Sequence, residues 1–216
     1  MNRSAIAMFG LVLIVGLAGL GCAPDPAADK PQAEVGEAQA APESTEAAGT
    51  TLAFAEGSAV QWVGSKVTAS HEGGFEAFEG EVHLVDGDPT ASAVHVAIDT
   101  TSLWADDDKL AGHLKSEDFF DVEAHPTATF TSTSIEPAEA GYTVTGNLDL
   151  HGVTKSISFP AQITVEGDAV SVQAEFSIKR FDFGIEYPGR ADDLIRDDVV
   201  IKLDLRTAPE ATEAQT

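Results

Sequence analysis

Six histidines, one cysteine and a large surplus of carboxylates are the side chains of this 216-residue chain that could do chemistry. No serine stands in a Gly-x-Ser-x-Gly elbow and no glycine-rich phosphate loop occurs, so the usual nucleophile and phosphate-cradling patterns are absent. Asp106, Asp107 and Asp108 are adjacent acids, but they read as the electronegative start of a helix rather than as a catalytic pair. His83 and His95 face each other if the hairpin between them is centred on Asp86–Ser92; two imidazoles without a third ligand make a weak zinc site, and no metal is expected. Cys22 is alone, which excludes an intramolecular disulfide and any cysteine cluster for zinc or iron–sulfur. The residues point away from an enzyme and call for no cofactor. Two cations, Lys155 and Arg180, stand out in strands and are candidates for meeting the polar head of a ligand. For Lys155 the alternative is a bulge that sends it to solvent, and for Arg180 an ion pair with Asp182 or another neighbouring carboxylate.

The elements that would position these groups begin after residue 50. Net charge is −24, of which −18 falls on residues 51–208. So acidic a surface repels nucleic acid, whose affinity rests on cationic contacts to phosphate. Arg3 followed by the apolar run Ala5–Gly21 has the layout of an export signal, with a retained anchor as the alternative. Leu17-Ala18-Gly19-Leu20-Gly21-Cys22 resembles a bacterial lipobox, with Gly19 where a branched aliphatic is usual, which makes Cys22 the candidate lipidation site. Residues 1–22 are thus expected to direct export to the periplasmic face of the envelope and to supply a membrane anchor. Ala23 after the cysteine points to the outer membrane if sorting follows the enteric pattern. Residues 23–50 are rich in Ala, Glu and Pro and are expected to be a disordered tether, as is the tail 209–216.

From Ala59 onward apolar residues recur with period two. Gly167-Asp168 predicts a hairpin that pairs Val165 with Val170, Ile163 with Val172, Ala161 with Ala174, Phe159 with Phe176 and Ile157 with Ile178. Asp86–Ser92 predicts a second, pairing Leu84 with Val94 and Val82 with Val96. His151-Gly152 predicts a third, joining Tyr142–Leu150 to Val153–Phe159. Further strands are expected near Val60–Val67, Phe75–Val85, Ala128–Ile135 and Val199–Leu205, and a short helix within Trp104–Lys115. About eight strands with one-sided alternation must close or stack to bury their apolar face.

Phe75-Glu76-Ala77-Phe78-Glu79-Gly80, Ile98-Asp99, His113–Val122, Pro126–Ser132, Gly146–Lys155 and Arg180–Gly184 resemble the motifs of the YceI family, in order, across nearly all of 51–207. Many members carry an Arg-Asp pair before the His-Leu step, where this chain has Leu110-Ala111-Gly112-His113. The resemblance implies a single all-β domain: an eight-stranded antiparallel lipocalin-like β-barrel with a short helical insertion. It also implies export to the periplasm and an interior that binds a polyisoprenoid, a quinone or a similar amphiphile. The wall of that interior would be Phe78, Val82, Leu84, Val94, Val96, Ile98, Phe130, Leu148, Phe159, Ala161, Ala174 and Phe176. Phe119 and Phe120 would cap one end as a lid, or plug it as ordinary core. The competing expectation is that these side chains pack a dry centre, leaving an envelope interaction module with nothing inside.

Overall fold

The computed structural model describes residues 23–40, 49–167 and 169–207; Cys22, the export signal and the tail after Thr207 lie outside the described residues. The chain runs β1 (Glu34–Glu37), β2 (Thr50–Ala53), β3 (Ala59–Ser65), β4 (Ser70–Phe75), β5 (Phe78–Val85), β6 (Asp88–Asp99), β7 (Leu103–Ala105), α1 (Asp108–Leu114), β8 (Thr127–Ala138), β9 (Gly141–Leu150), β10 (Val153–Glu166), β11 (Ala169–Lys179), β12 (Gly189–Arg190), β13 (Asp193–Leu194) and β14 (Asp198–Arg206). Apart from the small β12–β13 pair, these strands form one strongly curled antiparallel sheet in the order β2-β5-β6-β8-β9-β10-β11-β14-β3-β4-β7, with β1 added against β10.

Tight turns set the registers. His151 and Gly152 take φ of 54° and 72°, and β9 and β10 pair from Val153↔Leu150 to Ala161↔Tyr142, as expected. Asp86 and Gly87 also take positive φ, 50° and 72°, so their hairpin turns on two residues rather than seven. Its register therefore differs from expectation by two residues: Val82 pairs with Val94 and Gly80 with Val96, and a bulge between His83 and Val85 absorbs the mismatch. A slip of two keeps every side chain on its face. It does separate the histidines: Glu81, not His83, lies opposite His95, and the proposed imidazole pair does not form.

Among the described residues the sheet has twelve strands, not eight. Each of the eight expected runs contains a strand; β1, β2, β4 and β7 are the additions. β4 carries Gly73 and Gly74 and has no apolar alternation, because a wall is built over it: a Cβ on Gly73 would stand 2.2 Å from the Trp104 carbonyl and 2.3 Å from the Trp62 ring. β2 and β3 are one extended stretch broken at Phe54–Ser58, where Ala55 N–H donates to the Arg206 carbonyl at 2.7 Å. Because β2 and β3 stand near opposite ends of the strand order, this connection ties the sheet's margins together and enforces the curl.

The expected tether is corrected over residues 23–40, while residues 41–48 lie outside the described residues. Residues 23–40 lie along the sheet rather than apart from it. β1 pairs Glu34–Glu37 with Lys155–Ser158 of β10, while Gln32 bridges Ser177 of β11 in parallel. A segment with few apolar residues cannot fold alone, but it can supply backbone hydrogen bonds to strands that have parted. β10 and β11 pair at Val165↔Val170 and Ile163↔Val172 as expected; their ladder ends at Gln162↔Gln173, and β1 enters beyond it. The expected rungs Ala161–Ala174, Phe159–Phe176 and Ile157–Ile178 lie beyond that ladder; Phe159 and Phe176 meet instead through their rings, stacked at 4.2 Å.

The short helix falls within the expected span, with α1 covering Asp108–Leu114. Trp104 belongs to β7, and Asp107 is the N-cap, its carboxylate accepting from Leu110 N–H at 2.9 Å.

Candidate functional site

Inside the curl lies an apolar cavity of about 370 Å³. Its wall follows the period of the strands: Val199, Ile201, Leu203 and Leu205 of β14 face it, as do Ile157, Phe159, Ile163 and Val165 of β10. The β14 stretch alone spans roughly 20 Å at about 3.4 Å per residue, so the cavity is long as well as apolar. For scale, a dry cavity of about 150 Å³ lined by aliphatic and aromatic side chains already takes up benzene.

Ten of the residues expected in the wall are there: Val82, Leu84, Val94, Val96, Phe119, Phe120, Phe130, Leu148, Phe159 and Phe176. Four are not. Phe78 and Ile98 pair with each other across β5 and β6, and that corner is filled by Phe54, whose ring meets Phe78 edge-on at 6.4 Å. Gly80 makes room for it: a Cβ there would stand 2.4 Å from the Phe54 ring. Ala161 and Ala174 belong to the packed cluster around Phe159 and Phe176, but their methyl groups are too short to reach the cavity.

The ends differ. One is lined by Leu84, Pro89 and Ser92 near the β5–β6 turn. The other is closed by Leu110 and Leu114 of α1 and by Phe119, Phe120, Ile185 and Ile195. Phe119 is buried with Trp62, Leu103, Leu114 and Ile185, and Phe120 packs edge-on to Phe75 at 5.9 Å, so this pair both plugs the end and lines it. His113 holds the plug in place: its Nε2 lies 3.0 Å from Asp118 Oδ2, and its ring meets Phe119 and Tyr187 edge-on. His151 performs the neighbouring task, with Nδ1 3.2 Å from the Phe183 carbonyl.

The ionisable side chains of the cavity gather at this second end: Lys66, His71, Arg180 and Arg196. Arg180 is 5% exposed. Among the described residues no carboxylate makes the ion pair with it that Asp182 or another neighbour could have supplied. Its guanidinium donates instead to the carbonyls of Arg196 at 3.0 Å, Ile185 at 2.7 Å and Ile195 at 3.4 Å, and lies 4.5 Å from the Phe181 ring centre. Burial away from water lowers its pKa, partly offset by the charge of Asp197. Arg196 is held by Ser65 Oγ, the Lys66 carbonyl and the Ala23 carbonyl. Lys66 binds Asp193, whose carboxyl is drawn below its ordinary value chiefly by that contact. Lys155 does not reach the cavity; its ammonium turns to Glu37 of β1 at 3.2 Å.

Sequence reasoning passed over several wall residues. Val60 and Trp62 of β3 and the β14 series alternate plainly and could have been read as wall. Ile185 and Ile195 sit in connections without periodicity and gave no signal. Among the described residues, no three His, Cys, Asp or Glu side chains come together in a way that could hold a metal.

A strongly curled antiparallel sheet around an apolar cavity is the architecture of β proteins whose interior has room for a guest. The chain belongs to the YceI-like domain family, whose profile matches residues 47–207. It is 38% identical over 119 residues to a UPF0312 protein of Pectobacterium carotovorum, covering 52% of this chain and 62% of that protein. It is 36% identical over 120 residues to the protein YceI of Escherichia coli, covering 53% and 63%. The match therefore spans somewhat less than two thirds of these relatives. Among solved structures, Burkholderia cenocepacia BcnA superposes with a TM-score of 0.64 at 26% identity, over 70% of this chain and 96% of BcnA. A polyisoprenoid binding domain from Saccharophagus degradans shares the fold with a TM-score of 0.59 at 20% identity, over 75% and 99%.

Proposed function

We propose that this chain is a non-catalytic carrier or sink that holds a long apolar lipid, a polyisoprenoid, quinone-like molecule or other amphiphile, inside the curled sheet. The observation that carries the reading is the continuous apolar cavity of about 370 Å³, a size typical of small-molecule sites. The fold shared with a Saccharophagus degradans domain named for polyisoprenoid binding is in keeping with the ligand class. In this reading the hydrocarbon lies along β10, β11 and β14, and the polar head rests at the Arg180–Arg196 end, where a buried cation that no carboxylate among the described residues contacts as an ion pair favours an anionic or acceptor group.

Energetics suit a shuttle. Each buried methylene contributes about 0.8 kcal/mol relative to water, but the lipid's alternative is a bilayer as apolar as the cavity. Transfer is nearly balanced, and both uptake and release proceed. Export, and lipidation at Cys22 on the periplasmic face of the envelope, complete the proposal; they rest on the residues of the first segment.

Organic extraction of the purified protein followed by mass analysis tests it. A stoichiometric isoprenoid-like lipid is the expected result. Reproducible absence, together with no uptake of added isoprenoid by a folded protein, would leave an acidic interaction module instead.

A further inference from the structure

β10 and β11 are hydrogen-bonded partners only beside their turn. Farther along they part, and the gap is filled by residues 31–37. Ala33 N–H donates to the Ser177 carbonyl at 2.8 Å and Ser177 N–H to the Pro31 carbonyl at 2.9 Å, while β1 satisfies Lys155–Ser158 on the other side. Directly beneath, the cavity is walled by Ile157, Phe159, Phe176 and Ile178. The inserted strand is lightly held. It contributes buried Ala33 and half-buried Val35 to the core, and outside its backbone bonds it is pinned by Lys30 to Glu175 at 2.8 Å, Lys155 to Glu37 at 3.2 Å and Gln39 to Asn147. It also lies outside the family's domain, whose match begins at residue 47. A segment with few apolar contacts, held mainly by backbone hydrogen bonds and a few exposed side-chain contacts, opens at lower free energy than the strands around it.

We propose that Pro31–Glu37 is a removable wall strand, and that the slot it fills between β10 and β11 is the lateral portal through which a long apolar ligand reaches the cavity. This rests on the reading of the cavity as a lipid site. A long chain that had to thread lengthwise past α1 and Phe119 would have to displace a packed aromatic plug. Admission through the side wall requires only that one strand lift and that the Phe159–Phe176 stack swing aside. Ala33 is the point of control, because its N–H joins the strand to β11.

Two measurements test the portal. Hydrogen exchange on the wild-type protein reads whether the amides of Ala33, Ser177 and the β1–β10 ladder open as a unit at lower free energy than those of β9 and β14. Stopped-flow fluorescence reads uptake of a pyrene-labelled fatty alcohol from phosphatidylcholine vesicles by wild type, Ala33→Pro and Ala33→Gly. Proline removes the donor; glycine keeps it. The expected result is sub-global opening of the strand and an uptake rate raised roughly tenfold in Ala33→Pro, equivalent to about 1.4 kcal/mol, with Ala33→Gly close to wild type. Lys30→Glu, which sets like charges against Glu175 without touching the cavity, should accelerate uptake as well. Strand amides that exchange only with global unfolding would overturn the proposal, as would an Ala33→Pro variant whose strand exchanges faster while uptake is unchanged. A wild-type protein that shows no equilibrium fluorescence change with the probe refutes the carrier reading itself, and is told apart because the amplitude, not the rate, is lost.

Discussion

Replacing Val172 with phenylalanine separates an empty interior from a filled one. Val172 is half-buried, pairs with Ile163 and Leu205, and faces the cavity. The substitution adds about four carbons. If they enter free space, they gain on the order of 0.8 kcal/mol per methylene equivalent, reduced by side-chain ordering to a net of about 1–2 kcal/mol. For a domain of this size about 1 kcal/mol moves the melting temperature by roughly 2–4 °C, so Val172→Phe should melt some 3–6 °C higher than the delipidated wild type. If the centre were packed, the same carbons would overfill it and cost about 1–3 kcal/mol. Scanning calorimetry on delipidated proteins reads the sign directly. The same variant should take up an isoprenoid at least about tenfold more weakly, since the added ring occupies the guest's volume. A lowered melting temperature with unchanged lipid uptake would refute the reasoning on both counts.

Three further outcomes are expected. Trp62 Nε1 is buried without a hydrogen-bond partner among the described residues, so Trp62→Phe, which removes a donor costing about 1–3 kcal/mol when unpaired, should change stability by less than about 1 kcal/mol in urea denaturation; a loss above about 3 kcal/mol would mean the indole has an acceptor. Gly73→Ala should destabilise by roughly 1–3 kcal/mol, because its methyl collides with the Trp104 carbonyl and the Trp62 ring. Asp88, Asp99, Asp107 and Asp193 all have carboxyls held below their ordinary value, chiefly by hydrogen bonds from Thr90, Thr101, Leu110 and Lys66. Unfolding then raises their proton affinity, so their contribution is present above about pH 4 and fades as pH falls through the lowered folded-state values; melting temperatures that stayed level down to about pH 2 would contradict it.

Much of the architecture was legible because period-two patterning and turn chemistry act locally. The His151-Gly152 hairpin could be read to the residue, and so could the rungs beside Gly167. The Asp86 hairpin was misread because Gly87 and Pro89 suggested a wide loop, whereas Asp-Gly alone satisfies a two-residue turn and a bulge at His83–Val85 absorbs the remainder. β4 was invisible for a different reason. Its Ser-His-Glu-Gly-Gly-Phe sequence has no strand propensity, and what makes it a strand is the Trp62 ring that needs Gly73 beneath it. β1 was lost to composition: a tract of Ala, Glu and Pro has no reason to order until the gap between β10 and β11 exists to receive it. Of the expected wall, the residues that missed the cavity were displaced by Phe54 or were too short, and neither effect is visible along a single strand.

Arg180 has one further consequence. Two separate stretches of chain, at Ile185 and at Ile195–Arg196, surrender three carbonyls to one guanidinium. Neither can withdraw without stranding a charge in a place water does not reach, so they are bolted to a common hub and must shift together or stay put. That makes this extremity of the molecule a rigid floor, set apart from the lightly held strand on the flank.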